Sequence, residues 1–522
     1  MLPPILFLVM ICTNFLSIVS PQKISTFSNS NWEKRKVRAP AIVEKVERSD
    51  FPADFSFGAT TSAVQTEGAA KLDGKGPSVW DHFIREHPKR ITGRAKVDVA
   101  CDSYHRFKED IEMLKYMGVT SYRFSIAWTR ILPKGSLDGG INQKGIDHYN
   151  DILTELEING IEPHVILVQF DSPQALQEKY GGFLSREMVN DFRDYCDICF
   201  QNFGDKVKHW VTINEPTVIA QIGYGTPFAP PSRCSLRDGC AEGNSGTEPY
   251  IVTHHIILAH AAAAQLYKEK YKAIQGGEVG IETVGTWYLP NSDAPEDLAA
   301  TERLKDFNIG WCVEPFIYGH YPISMKNLVK DRLPTFSNEE KSIVMGSLDF
   351  IGINYYTSKY AKGLPLVVHE PYNWARDSCV EQSYVNGQGE HIGSQIDAVS
   401  GIAYYPDGLR QVLVYLTQRY DSPKLYISEN GMGKSTENTK EFFQEKNDDY
   451  RIQCIIDHLD AIKRARMEGA NVMGYSVWSL MDSFEFLHGY PFRCGLWFTD
   501  YNNNLRRLAK KSADWYKSFL SN

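Results

Sequence analysis

Two acidic residues far apart in the chain share one setting: Glu215 within Thr212-Ile213-Asn214-Glu215-Pro216, and Glu429 within Tyr426-Ile427-Ser428-Glu429-Asn430-Gly431. Each closes a run of apolar, β-branched and aromatic residues that reads as a buried strand, and each is followed by a turn residue. A carboxyl group at the carboxyl end of such a strand faces whatever cleft the strands open onto. Two brought together have the composition to split a sugar–oxygen bond, one as acid/base and one as nucleophile. Pro216 disfavours helix in the residue before it, so Glu215 is expected to be extended. Asn430-Gly431 is expected to turn the chain after Glu429. Either triplet alone is more often an ordinary surface turn. Their occurrence together, on the fourth and seventh of eight strands, carries the reading.

The elements that must position them form a regular alternation from Phe51 onward. Strand-like runs fall at 55–63, 121–128, 162–170, 209–215, 278–286, 349–356, 424–429 and 472–480. Amphipathic helical patterns lie between them, among them 104–117, 145–159, 186–203, 250–271, 302–318, 408–420 and 450–468. This alternation predicts an α/β fold, a single (β/α)8 TIM barrel over 51–520 with long loops at the site. The rival, an open doubly wound sheet, wants a glycine-rich phosphate turn after the first strand, and Gly58-Ala59-Thr60-Thr61 supplies none.

Composition narrows the function classes. The 522-residue chain is 43% hydrophobic and 23% charged, the balance of a soluble globular protein. A net charge of −8 argues against nucleic acid as a partner. No metal-ligand spacing is found, and the chemistry implies no cofactor. Residues 3–19 are almost wholly apolar and precede Ser20-Pro21, so 1–20 reads as a secretory signal peptide. The segment is short for a membrane span, and no stable membrane insertion is expected after its removal. The expected location is the secretory pathway: extracellular space, vacuole or ER lumen. Residues 21–50, with Glu33-Lys34-Arg35-Lys36, read as a polar extension. Cys234 and Cys240 close a small loop in a Pro-, Gly- and Ser-rich stretch and are the expected disulfide. Cys196-x-x-Cys199 lies inside a helical pattern and reads as buried free thiols.

Several further segments carry a resemblance. Phe57-Gly58-Ala59 through Gln65-Thr66-Glu67-Gly68, Tyr122-Arg123-Phe124-Ser125-Ile126-Ala127-Trp128, Asn354-Tyr355-Tyr356-Thr357 and Trp478-Ser479-Leu480-Met481-Asp482 through Phe484-Glu485 join the two glutamate motifs. Together they resemble family 1 glycoside hydrolases, the plant β-glucosidase and myrosinase group, from Phe51 to Leu520. The resemblance implies a retaining double displacement on a small-molecule β-glycoside, with Glu429 as nucleophile and Glu215 as acid/base about 5 Å apart. Arg123 and Tyr356 match positions beside the nucleophile, and Asn354 is grouped with Arg123 as its support. Asn214 matches the residue that meets the sugar 2-hydroxyl. Gln65, Gln169, Tyr356, Trp478, Glu485 and Phe486 are the remaining candidates for substrate binding. Taken alone, Trp478 near a strand end reads equally as core or as a flat face for a sugar ring. Arg123 taken alone is a structural ion pair, and its partner would be Glu429.

The chain departs from the family at Gln169-Phe170, where His-Trp is usual, at Phe486, where most members carry tryptophan, and at Val64, where tyrosine is common. Each lost hydrogen bond in a buried pocket costs about 1 kcal/mol or somewhat more, so two would weaken glucose turnover by roughly 10- to 100-fold. Phe486 leans towards the myrosinase branch. Those enzymes, however, replace the acid/base glutamate, and Gln221 and Ile222 supply no positive charge for a sulfated aglycone. O-glucoside hydrolysis is therefore expected, with a thioglucosidase or a transglycosidase as enzymatic alternatives and a sugar-binding relic as the non-enzymatic one. A homodimer is left open.

Overall fold

The barrel strands are short apolar runs, and eight of them close on one another. In the computed structural model, which describes residues 46–521 apart from 369, 396–401 and 437–441, they are β1 (Ser56–Thr60), β2 (Ser121–Ser125), β3 (Glu162–Val168), β4 (His209–Asn214), β5 (Glu278–Val284), β6 (Phe350–Asn354), β7 (Leu425–Asn430) and β8 (Val472–Trp478). They pair in chain order, every pair parallel, with β8 returning to β1. All eight expected strands are present, and the structure is the (β/α)8 barrel that the alternation predicts. The segment read as a signal peptide and most of the 21–50 extension lie outside the described residues.

Helices jacket the strands: α1 (Ser103–Met117), α2 (Gln143–Ile158), α3 (Glu187–Phe203), α4 (Glu248–Leu266), α5 (Trp311–Tyr318), α6 (Pro406–Arg419), α7 (Asp449–Met467) and α8 (Lys511–Leu520). In α3 the buried residues are Met188, Phe192, Tyr195, Cys196, Cys199, Phe200 and Phe203, a single stripe at helical spacing. That stripe accounts for Cys196 and Cys199, which are buried, free thiols whose pKa burial pushes up. The 302–318 pattern falls within a longer helical stretch, α-helical from Pro295 to Lys305, π-helical over Asp306–Gly310 and α-helical again in α5.

Inside the barrel the side chains form layers. At the amino end His164, His209, Phe350 and Tyr426 pack ring on ring, with centroids 4.0 Å apart for His164–His209 and His209–Phe350. Ile166 and Val211 lie against them. Because β4 and β6 are not neighbours in the sheet, the His209–Phe350 contact must cross the interior. The barrel is thus plugged by rings at one end, and its polar layer sits at the other. Register places that layer: Thr60 pairs with Arg123 and with Trp478, Asn214 with Glu282, and Asn354 with Glu429. Gly352 is required there, since a Cβ would stand 2.4 Å from both Glu282 Cγ and Ser428 Oγ. Among the described residues, no helix is long and apolar enough to cross a membrane.

Candidate active site

Glu215 ends β4 and begins the short helical turn Pro216–Val218. Its backbone is left-handed (φ 49°, ψ 63°), which corrects the expectation of an extended residue. The proline does exclude the right-handed helical region, as argued from sequence. The tertiary structure selects the rarer escape: Glu215 N–H donates to the Glu282 carbonyl at 3.0 Å, while its own carbonyl accepts from Val218 and Ile219. A non-glycine residue held in this region stores strain, of order 1–3 kcal/mol, which surrounding contacts must offset. The carboxyl group is buried; Asn354 Nδ2 donates to Oε1 at 2.9 Å, and Oε2 has no hydrogen-bond partner.

Glu429 has a richer set of donors. Arg123 Nη2 lies 2.9 Å from Oε1, Gln169 Nε2 donates to the same oxygen at 3.0 Å, and Tyr356 Oη donates to Oε2 at 2.8 Å. Gly431, two residues on, matters for close approach as well as for turning. A Cβ at Gly431 would sit 1.9 Å from the Trp478 carbonyl oxygen at the end of β8.

Arg123 is not devoted to Glu429. Its guanidinium forms a fork on Glu282, Nε to Oε1 at 2.8 Å and Nη2 to Oε2 at 2.5 Å, and it also donates to Thr60 Oγ1 and Asn214 Oδ1. Glu282 on β5 was not singled out from sequence. The signal was present: an acidic side chain inside the apolar run Gly280-Ile281-Glu282-Thr283 needs a buried cation, and Arg123 on β2 is its counterpart. Asn354, expected to support the nucleophile, places its amide instead on Glu215 Oε1 and Asn214 Oδ1. Only its backbone neighbourhood touches Glu429, through strand pairing.

Electrostatics separates the two carboxyl groups. Burial, followed by the neighbouring charge of Glu429, holds the Glu215 pKa well above the usual range, and the Asn354 hydrogen bond opposes this only in part. Burial also raises Glu429, but Arg123 and then the donated hydrogen bonds from Tyr356 and Arg123 pull against it, while Glu282 pushes the other way. One carboxyl thus has three donors and the other has one donor and a bare oxygen. The proton shared between them belongs on Glu215.

Both carboxyls line one cavity, with Gln65, Gln169, Phe170, Tyr356, Trp478, Glu485, Phe486 and Phe492 among its walls. Asn214, Arg123 and Asn354 lie beneath as a buried floor, and Asn214 Nδ2 is left without a partner there. Gln65 is partly engaged by protein, donating to the Phe484 carbonyl at 2.7 Å and accepting from Ser62 Oγ at 2.6 Å. Glu485, which accepts from Ser483 Oγ, has its pKa pushed up to about 8 by burial. Trp478 is both things that the sequence allowed: buried, and a wall of the cavity. Phe486 stands edge-on to Phe170 at 5.6 Å and tilts on Trp80 at 4.7 Å; Val64 packs against the same apolar cluster. Gln221 and Ile222 are buried in the turn after β4. Cys234 and Cys240 form the expected disulfide. Among the described residues, no group of His, Cys, Asp and Glu side chains is placed to hold a metal ion.

The chain is similar to known proteins. The sequence matches the profile described as glycosyl hydrolase family 1 over residues 47–522. A furostanol glycoside 26-O-β-glucosidase of Hellenia speciosa is 47% identical over 476 residues, 91% of this chain and 83% of that protein. A β-glucosidase of Oryza sativa subsp. indica is 46% identical over 480 residues, 91% of this chain and 93% of that protein. Among solved structures, a mutant rice β-glucosidase in a covalent complex with glucose superposes with a TM-score of 0.87 at 42% identity, covering 91% of this chain and 99% of that one.

Proposed function

Because the chain belongs to glycosyl hydrolase family 1, we propose that it is a retaining O-β-glucosidase with Glu429 as nucleophile and Glu215 as acid/base. The observation that carries this reading is the unequal dressing of two buried carboxyls facing one cavity: three donors on Glu429, one on Glu215. The relatives' printed activities supply β-glucosides as the substrate class.

In the first step Glu429, ionised, attacks the anomeric carbon as Glu215 gives its proton to the leaving oxygen. The bare Oε2 of Glu215 is free to make that contact. Esterification removes the charge on Glu429, and with it the second cause of the raised Glu215 pKa. Glu215 then takes a proton from water, which attacks the glycosyl ester and leaves the sugar with its original configuration. The unpartnered Asn214 Nδ2 and Gln169 Oε1 are hydrogen-bonding capacity that a hydroxyl-rich ligand would satisfy.

The test is release of a chromogenic phenol from an aryl β-glucoside at pH 4 to 8, with an added alcohol acceptor to weigh transfer against hydrolysis. Glu429→Ala should abolish release, and azide should restore it with formation of the α-glucosyl azide, since azide replaces the nucleophile on that face. Failure of the unaltered protein on aryl glucosides, galactosides and fucosides alike would leave a sugar-binding role instead.

A further inference from the structure

Glu282 stands outside every segment that carries the family resemblance, and neither step of the double displacement uses it. It lies on β5, level with Asn214 on β4 and Gly352 on β6, and is wholly buried. Gly352 leaves the space for its stem, since a Cβ there would stand 2.4 Å from Glu282 Cγ. Both Glu282 oxygens accept from Arg123, Oε1 from Nε at 2.8 Å and Oε2 from Nη2 at 2.5 Å, the fork of an ionised carboxylate on a guanidinium. The same Nη2 lies 2.9 Å from Glu429 Oε1 and 3.1 Å from Asn214 Oδ1. That nitrogen has two hydrogens for three acceptors, so the nucleophile receives only a share of it. Two carboxylate oxygens on one nitrogen are also within about 5.5 Å of each other, close enough for their charges to repel strongly in a buried floor.

We propose that Glu282 is a positioning residue that acts through Arg123: it keeps the guanidinium from fully neutralising the nucleophile, and it stays as the counter-ion of Arg123 when Glu429 becomes an ester. This deepens the glycosidase reading and rests on it. In the first step the bond from the anomeric carbon to the leaving oxygen breaks, a bond from that carbon to Glu429 forms, and the Glu215 proton goes to the leaving oxygen. Glu429 thereby loses its charge. A lone Arg123–Glu429 pair would oppose this, because the ester would leave a buried guanidinium without an adjacent anion. With Glu282 in the fork the cation stays paired, and the repulsion between the two carboxylates is relieved. In the second step water breaks the ester bond, Glu215 takes its proton, and Glu429 regains its charge beside Glu282. Glu282 therefore favours the ester over the free nucleophile, which speeds the first step and holds back the second. The other groups facing Glu429 are Gln169 after β3, Glu215 after β4, Tyr356 after β6 and Glu485 after β8.

The experiment takes three readings on the unaltered enzyme, Glu282→Gln and Glu282→Asp. They are the acid limb of kcat/KM on an aryl β-glucoside, the rate of labelling by an activated 2-deoxy-2-fluoroglucoside (the first step), and the rate at which the isolated fluoroglucosyl ester is hydrolysed (the second). Glu282→Gln should move the acid limb down by about one pH unit, because Glu429 loses a repelling charge and gains an undivided Arg123. Labelling should slow and ester hydrolysis should quicken, each by up to about tenfold. Glu282→Asp, whose carboxylate draws back by one methylene, should move all three readings in the same senses by less, and it decides the matter if Glu282→Gln does not fold. An acid limb that stays in place, or two steps that slow together, would mean that Glu282 merely neutralises Arg123, and the proposal would be wrong. If the unaltered protein neither hydrolyses the aryl glucoside nor is labelled by the fluoroglucoside, the glycosidase reading itself falls and takes this inference with it.

Discussion

Glu215 and Glu429 are chemically the same side chain, and only their neighbours set them apart. In the proposed mechanism protonated Glu215 is needed for attack, and ionised Glu429 with it. Activity should therefore fall as pH rises through the raised Glu215 pKa, and fall again as pH drops through that of Glu429. Trapping Glu429 as a fluoroglycosyl ester removes its charge, so the Glu215 pKa should drop; a carboxyl 13C NMR titration of free and trapped enzyme reads this directly. An unchanged titration would show that the two groups are not coupled. Replacement Glu215→Gln should slow glucosides with poor leaving groups by about 10²- to 10⁴-fold, the usual worth of a general acid, and barely slow those with good ones. Equal slowing of both would remove Glu215 as proton donor.

At the scale of elements, the site depends on how strand ends meet. β7 and β8 approach so closely beyond Glu429 that Gly431 has room for no Cβ beside the Trp478 carbonyl. Because the obstacle is backbone and not the tip of a side chain, Gly431→Ala must displace one strand end or the other. It should cost about 1–3 kcal/mol of stability, measured by denaturant midpoint, and should lower kcat by shifting Glu429 and Trp478. Stability lost with kcat kept would mean that the strand ends move together without disturbing the site. The left-handed turn at Glu215 is the matching device on β4, held by a hydrogen bond to the carbonyl of Glu282 on β5. Arg123, reaching both Glu282 and Glu429, ties β2 to β5 and β7 through one guanidinium.

Across the whole molecule, a second buried charge cluster fastens the carboxyl-terminal part of the chain beneath the loop that carries Glu485. Asp482 accepts from Arg493 Nη1 at 2.8 Å, Lys510 Nζ at 2.7 Å and the Gly495 N–H at 3.0 Å. Its backbone carbonyl accepts from Thr499 Oγ1 and Tyr501 Oη. Removing one member leaves buried cations unpaired, so Asp482→Asn should cost about 3–5 kcal/mol, read as a lower denaturant midpoint. The loop from Trp478 to Glu485 shares these contacts, so KM for the glucoside should rise as well. A variant of unchanged stability would show the cluster to be dispensable to the fold.

Hydrophobic patterning is a local property, and it was enough to read all eight strands, their order, the barrel, and the two glutamates at strand ends. The α3 stripe around Cys196 and Cys199 was legible for the same reason, and the Cys234–Cys240 disulfide from the small loop that the two cysteines close in a Pro-, Gly- and Ser-rich stretch. What the sequence could not convey is how side chains from separate strands share partners inside the barrel. Arg123 divides between Glu282 and Glu429, Asn354 serves Glu215 and not Glu429, and Gln169 reaches the nucleophile. Those contacts depend on strand register and on which way each side chain leaves its strand, and both are fixed only when the eight strands close on one another.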